Sequence, residues 1–88
     1  MEIAQPLSEL EREILEYVAN SGETTTEIDE ELPHSPGRKA VEAALGELLR
    51  RGLVTTARGV YASSKRVYED DWWDPTPAGR AAIGLPPR

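Results

Sequence analysis

Three groups of side chains in this 88-residue chain have the types and spacing to do chemistry. The first is a run of cations: Arg38, Lys39, Arg50, Arg51, Arg58, Lys65 and Arg66. Between residues 35 and 66 these seven bases face only two acids, Glu42 and Glu47, which leaves that stretch at +5. Residues 1–34 hold ten acids and one base, and residues 67–88 hold four acids and two bases. The net charge of −6 speaks against a polyanionic partner, but its distribution speaks for one. Salt screens charges beyond about 8 Å at physiological ionic strength, so a local patch governs contact more than the total does. The second group is Glu69, Asp70, Asp71 and Asp74 around Trp72 and Trp73. Clustered carboxylates can take Ca²⁺ or Mg²⁺, repel a polyanion, or simply keep a strand edge in water. A tryptophan flanked by acids also suits a protein partner. The third is His34, the only histidine, which suits a phosphate contact, a pH-dependent donor or an ordinary turn.

Catalysis finds little support. There is no cysteine, the single histidine has no evident partner, and no Gly-rich phosphate loop is present. Asp70 and Asp71 are adjacent, so in a strand they point apart and do not converge on a substrate. No enzyme activity, cofactor or metal is expected. Without cysteine there is also no disulfide frame. No signal peptide is recognisable, and no apolar run approaches the roughly 18 residues of a membrane span, which makes a cytoplasmic protein the expectation.

The cations need an element to carry them. Ser35 is a good N-cap and Pro36 suits the first helical position. Val41, Ala44, Leu45, Leu48 and Leu49 then form one apolar helical stripe. Arg50 and Arg51 complement the dipole in the last turn, and Gly52 supplies a left-handed stop. This predicts a helix over 36–51 with Arg38, Lys39, Glu42, Ala43 and Gly46 facing outward. Gly46 costs up to about 1 kcal/mol in a helix interior, and beside Ala43 it points to a close-packed neighbour, either a partner chain or another helix. A shorter helix precedes it. Thr24 to Thr26 offer caps, Thr26 with Asp29 resembles a capping box, Ile28 and Leu32 share a face, and Pro33 stops it. Only Pro33, His34 and Ser35 then separate the two helices, the spacing of a helix-turn-helix.

The rest of the chain frames that pair. Residues 1–6 read as a loose tail. Ser8 and Glu11 make a capping box opening a helix over about 9–20, with Leu10, Ile14, Leu15, Tyr17 and Val18 on its apolar side and Gly22 as its stop. Residues 23–25 suit a brief strand. Residues 53–61 and 67–73 read as two strands with 62–66 as the connecting tip, Arg58-Gly59 offering a tighter alternative turn. Thr76 and Pro77 open a last short helix to Ile83, ended by Gly84, and residues 85–88 trail off. Phenylalanine is absent, so the core must be Leu, Ile, Val and Ala, finished by Tyr17, Tyr61, Tyr68, Trp72 and Trp73. Strand alternation predicts one tryptophan in the core and the other exposed.

The run AALGELLRRGLV, followed after a hairpin by TPAGRAAI, resembles the winged helix-turn-helix repressors of bacteria, such as the MarR-like and PadR-like families. Leu45, Leu48, Gly52, Leu53 and Val54 match a Leu-x-x-Leu-x-x-x-Gly-Leu-Val run. Thr76, Pro77, Gly79 and Arg80 match a Leu-Thr-Pro-x-Gly-Arg run. The resemblance implies an α+β fold over residues 7–84: a winged helix-turn-helix, with a three-helix core, a β-hairpin wing and a short C-terminal helix. It also implies a small bacterial transcriptional regulator that binds double-stranded DNA. Helix 35–51 would enter the major groove through Ser35, Arg38, Lys39, Glu42 and Ala43. The wing, residues 58–66, would grip the backbone through Arg58, Lys65 and Arg66. The chain departs from the pattern where Pro75 replaces the usual Leu and where Glu69, Asp70, Asp71 and Asp74 crowd the wing strand. The long dimerisation helices of those repressors are not in this sequence. The same scaffold serves protein–protein contacts, so the alternative is an interaction module that works through its acidic N-terminal half and the Trp72/Trp73 strand. A homodimer or another protein is then the partner.

Overall fold

Helix α1 (Glu9–Val18) starts where Ser8 and Glu11 complete a capping box. The Glu11 N–H donates to Ser8 Oγ at 3.1 Å and the Ser8 N–H to Glu11 Oε1 at 2.9 Å. In the computed structural model, which describes residues 6–34, 36–62 and 65–86, the elements that follow are β1 (Glu23–Thr24), α2 (Thr25–Glu31), α3 (Arg38–Arg50), β2 (Val54–Ala62), β3 (Val67–Pro75) and α4 (Pro77–Ala82). The strands form one antiparallel sheet in the order β1-β3-β2. Three helices, a sheet whose long hairpin is the wing, and a short terminal helix make this a winged-helix fold of the α+β class.

The core lies where one face of each helix meets the root of the hairpin. Ile14, Leu15 and Val18 from α1, Ile28 from α2, Val41, Leu45 and Leu48 from α3, and Val54 from β2 are all essentially removed from solvent. Trp73 closes the cluster, and its indole N–H donates to Thr25 Oγ1 at 2.8 Å, so its one polar atom is satisfied inside the core. Trp72 lies outside the cluster but is not free. It is half-buried, stacked on Tyr61 with centroids 5.4 Å apart, and its N–H donates to Asp74 Oδ2 at 2.8 Å.

Three expectations about element ends are corrected. Helix α3 begins at Arg38, because Gly37 takes φ 97°, ψ 148° and serves as the N-cap. That conformation is open essentially only to glycine, so Pro36 stays outside the helix. The connection between α2 and α3 therefore runs from Leu32 to Gly37, with His34 in a left-handed turn conformation at φ 71°. Second, α2 is capped by Thr24, which accepts from the Glu27 N–H at 3.2 Å, and not by Thr26 with Asp29. Pairing of Thr24 with Trp72 holds Thr24 extended immediately before the helix, which is the geometry an N-cap needs. Third, the hairpin is regular from Val54↔Pro75 to Ala62↔Val67, so Arg58-Gly59 lies within β2 and makes no turn.

Two of the three glycine stops close their helices in the same way. Gly52 at φ 74° closes α3 in a Schellman motif, with the Leu53 N–H on Leu48 O at 2.9 Å and the Gly52 N–H on Leu49 O at 3.0 Å. Gly84 does the same for α4, and Leu85 and Pro86, which fall in the expected tail, are hydrogen-bonded to Arg80. The Thr76-Pro77-x-Gly79-Arg80 run welds α4 to the rest. Thr76 Oγ1 accepts from the Gly79 N–H at 3.0 Å and donates to Gly52 O at 2.7 Å. Arg80, buried, donates to Ala19 O at 2.6 Å at the C-terminal end of α1 and to Pro86 O at 2.7 Å.

Gly79 sits where the α4 backbone crosses Leu53, and a Cβ there would overlap the Leu53 carbonyl oxygen. That atom is backbone, already accepting from the Thr76 N–H at 3.0 Å, and cannot swing aside. Alanine favours a helix over glycine, yet we expect Gly79→Ala to destabilise the domain by about 1–3 kcal/mol through overpacking. A thermal melt equal to or above that of the parent would show that α4 can move away from Leu53.

Candidate nucleic-acid interface

The outward side of α3 is open. Arg38, Lys39, Ala40, Glu42, Ala43 and Gly46 are all exposed, and a Cβ built on Gly46 meets nothing within 4 Å. Among the described residues, the close neighbour expected at Gly46 is not found. The face is low and smooth, with its cations in the first turn. Ser35, expected to add a hydroxyl there, lies outside the described residues.

Arg38 is the most engaged of those cations. Its Nε donates to Glu42 Oε2 at 3.0 Å, one turn on; Nη1 donates to Thr26 Oγ1 at 2.9 Å; Nη2 reaches Asp70 Oδ1 at 3.4 Å. The sequence groups Asp70 with the acids of a wetted strand edge, and here the structure differs. Its side chain is 2% exposed. Oδ2 accepts the Thr26 N–H at 2.9 Å, and Oδ1 accepts the Asp71 N–H at 2.7 Å as well as Arg38. A carboxylate at the first turn of α2 satisfies an orphan N–H and complements the dipole. Burial pushes the Asp70 carboxyl up, but the hydrogen bonds from Thr26 and Asp71 and the Arg38 charge outweigh it, and the group lies below the ordinary aspartate value. Sequence could place Asp70 on a strand; it could not show that the strand passes against the N-terminus of α2.

The hairpin cations are likewise paired. Arg58 faces Asp71 across the β2–β3 ladder and reaches it at 3.3 Å, and reaches Glu69, opposite Val60, at 3.6 Å. Arg66 reaches Glu30 on α2 at 3.2 Å and lies 5.2 Å from the centroid of the Tyr68 ring. Lys65 is exposed beside the tip. At the far end of α3, Arg50 pairs with Glu47, and Arg51 reaches the capping Glu11 of α1 at 3.6 Å. Lys39 is exposed and makes no ion pair with a described residue. The structure thus brings Arg38 against β3, the strand that carries the partners of Arg58, but it meets most of the cationic block with carboxylates.

The acidic group on β3 is divided among other tasks. Asp70 caps α2, Asp71 and Glu69 flank Arg58, and Asp74 accepts from Trp72. Among the described residues no three acid or histidine side chains gather as metal ligands. Of the two tryptophans considered for a partner, Trp73 is 8% exposed and belongs to the core, and Trp72 is half-covered by Tyr61. The strong acidity of residues 1–34 surfaces instead beside a shallow groove lined by Glu13, Glu16, Tyr17, Leu32 and Pro33. Burial, then Glu23, Glu31 and Glu27, push the Tyr17 phenol up to about 12. Burial, Glu27 and Glu31 raise the Glu23 carboxyl.

Compared with known proteins, the chain is similar in fold to Bacillus subtilis PadR in a crystal structure of that protein with operator DNA. The TM-score is 0.74 at 15% identity, over 89% of this chain and 46% of the PadR chain, so the fold is shared and this chain spans about half of PadR's length. No family model matches the chain, and no curated protein matches it in sequence. Among the described residues no helix is long and apolar enough to cross a membrane.

The paired state of Asp70 has a measurable consequence. Asp70→Asn keeps the shape but removes the charge, and we expect a loss of about 2 kcal/mol at neutral pH, the scale of hydrogen bonds to a charged group. Because the folded value is depressed, this stabilisation is present above the unfolded value near 4 and fades as the pH falls through the folded one. Melts of parent and variant should therefore differ at pH 7 and converge as the pH is lowered below the folded value. A constant gap across that range would assign the effect to shape and not to charge.

Proposed function

We propose that this domain binds double-stranded DNA as the reading unit of a small transcriptional regulator, with α3 in the major groove and the β2–β3 hairpin against the adjacent backbone. The observation that carries this reading is the joint between them. The Arg38–Asp70 contact sets the first turn of an uncovered helix beside the hairpin that bears Arg58. A helix reads the major groove with its N-terminal residues, and the small side chains Ala40, Ala43 and the bare Gly46 let its axis approach closely. The PadR structure, with the same fold, holds operator DNA. In this reading Lys39 is the foremost phosphate contact, Arg38 holds the joint as well as facing the groove, and Ser35, Glu42 and Ala43 border the bases. Arg58, Lys65 and Arg66 line the backbone. With so few side chains able to read base edges, recognition rests on phosphates and duplex shape more than on a base code.

A second reading, a protein-interaction module on the same scaffold, is favoured by one specific observation: Arg38, Arg58 and Arg66 are already paired with acids. Its working surface would be the acidic side of α1 and α2, since Trp73 is buried and Trp72 is stacked.

A gel-shift titration on mixed-sequence duplexes at about 50 mM salt, where electrostatic binding is strong, separates the two. The DNA reading expects retardation. It further expects Lys39→Gln to weaken binding evenly across sequences and to lower the salt slope by about 1, with the melting temperature unchanged. No retardation of any duplex by the parent would sink the DNA reading and favour the protein module.

A further inference from the structure

The β2–β3 register places two carboxylates beside the guanidinium of Arg58. Asp71 is its direct cross-strand partner, and Glu69 lies diagonal to it, opposite Val60. The distances are 3.3 Å to Asp71 Oδ1 and 3.6 Å to Glu69 Oε1. The ladder sets the three backbone positions side by side, so the groups meet as cross-strand and diagonal neighbours on one face. The hairpin is regular through this segment, so the pairing keeps both acids on the face that carries Arg58, while their side chains remain free to change rotamer. All three groups are open to solvent at 59% for Arg58, 64% for Glu69 and 39% for Asp71, where a phosphate can reach them.

A cation that is already neutralised contributes little to indiscriminate DNA binding. Affinity for a duplex of any sequence comes from counterions released as free cations meet phosphates. A phosphate that approaches Arg58 meets two negative charges at the same spot. Exposed ion pairs are weak and exchange readily, so the exchange is available, but only to a phosphate held close and in register by contacts elsewhere, after which the displaced carboxylates still stand nearby. We propose that Glu69 and Asp71 are specificity-determining residues, which withhold Arg58 from loosely bound DNA and release it to a duplex that the rest of the surface has seated. This inference rests on the DNA-binding reading above and adds to it a role for acids that otherwise look misplaced on a wing.

The test uses the Glu69→Gln/Asp71→Asn double variant, which preserves shape and leaves Asp70 and the core untouched. Circular dichroism and a thermal melt establish that it folds like the parent. Binding to a mixed-sequence duplex is then measured at about 50 and about 200 mM salt. We expect the double variant to bind more tightly at the lower salt and to lose about threefold more affinity across that range for the arginine freed. Adding Arg58→Gln should cancel both changes. If parent and double variant bind alike, the inference is wrong and the DNA reading survives. If the gain persists when Arg58 is removed, it is a general charge effect and the inference is likewise wrong. If neither protein binds, both fall. If only the double variant binds, the native chain never releases Arg58 to a duplex, and both readings fall.

Discussion

One buried carboxylate holds the working parts of this domain in register. Asp70 on β3 accepts the Thr26 N–H at the start of α2, the Asp71 N–H of its own strand, and the Arg38 guanidinium at the start of α3. A charge taken out of water is costly unless every lone pair finds a donor. The three donors must therefore be in place together, and that requirement fixes where the hairpin leaves the helices. Arg38 belongs to this joint as much as to the open face of α3. Substituting it would disturb geometry along with charge, which is why Lys39, exposed beside it, is the cleaner probe of a phosphate contact.

The local grammar of the chain was readable because its causes are local. The Ser8–Glu11 box, the stops at Gly52 and Gly84, and the Thr76-Pro77 helix start each depend on residues within a turn of one another. Two readings failed where local signals were equally good and the tertiary setting chose between them. Ser35-Pro36 looks like a helix start, but Gly37 adopts a conformation that defers the helix to Arg38. Thr24–Glu27 and Thr26–Asp29 both fit a cap, and strand pairing of Thr24 with Trp72 decided for the first. What could not be read at all was partnership at long range. Asp70 and Thr26 are 44 positions apart, and Arg66 and Glu30 are 36 apart. Periodicity tells which side of an element a residue takes, and says nothing of what waits there.

The same contrast separates the motif from the surface. In the Thr-Pro-x-Gly-Arg run three residues are consumed by capping and packing: Thr76 caps α4 and ties down Gly52, Gly79 clears Leu53, and Arg80 closes the carbonyl end of α1. A sequence resemblance carried by such residues speaks to fold. The features that would distinguish one winged helix from another lie where this chain departs from the pattern, in the acids of β3. A tally of charge along the sequence finds a cationic block. The folded chain answers that block with Glu42, Asp70, Asp71, Glu69 and Glu30. Net charge by segment is thus a poor guide to potential at a surface when strand pairing interleaves the segments.

The neighbouring indoles, Trp72 and Trp73, occupy two different worlds although they share a peptide bond. One is packed among aliphatic side chains with its nitrogen on Thr25; the other lies against Tyr61 along the hairpin with its nitrogen on a carboxylate. The chain therefore carries its own pair of optical reporters. Emission from Trp73 follows the integrity of the interior, and emission from Trp72 follows events along the wing, with no label attached.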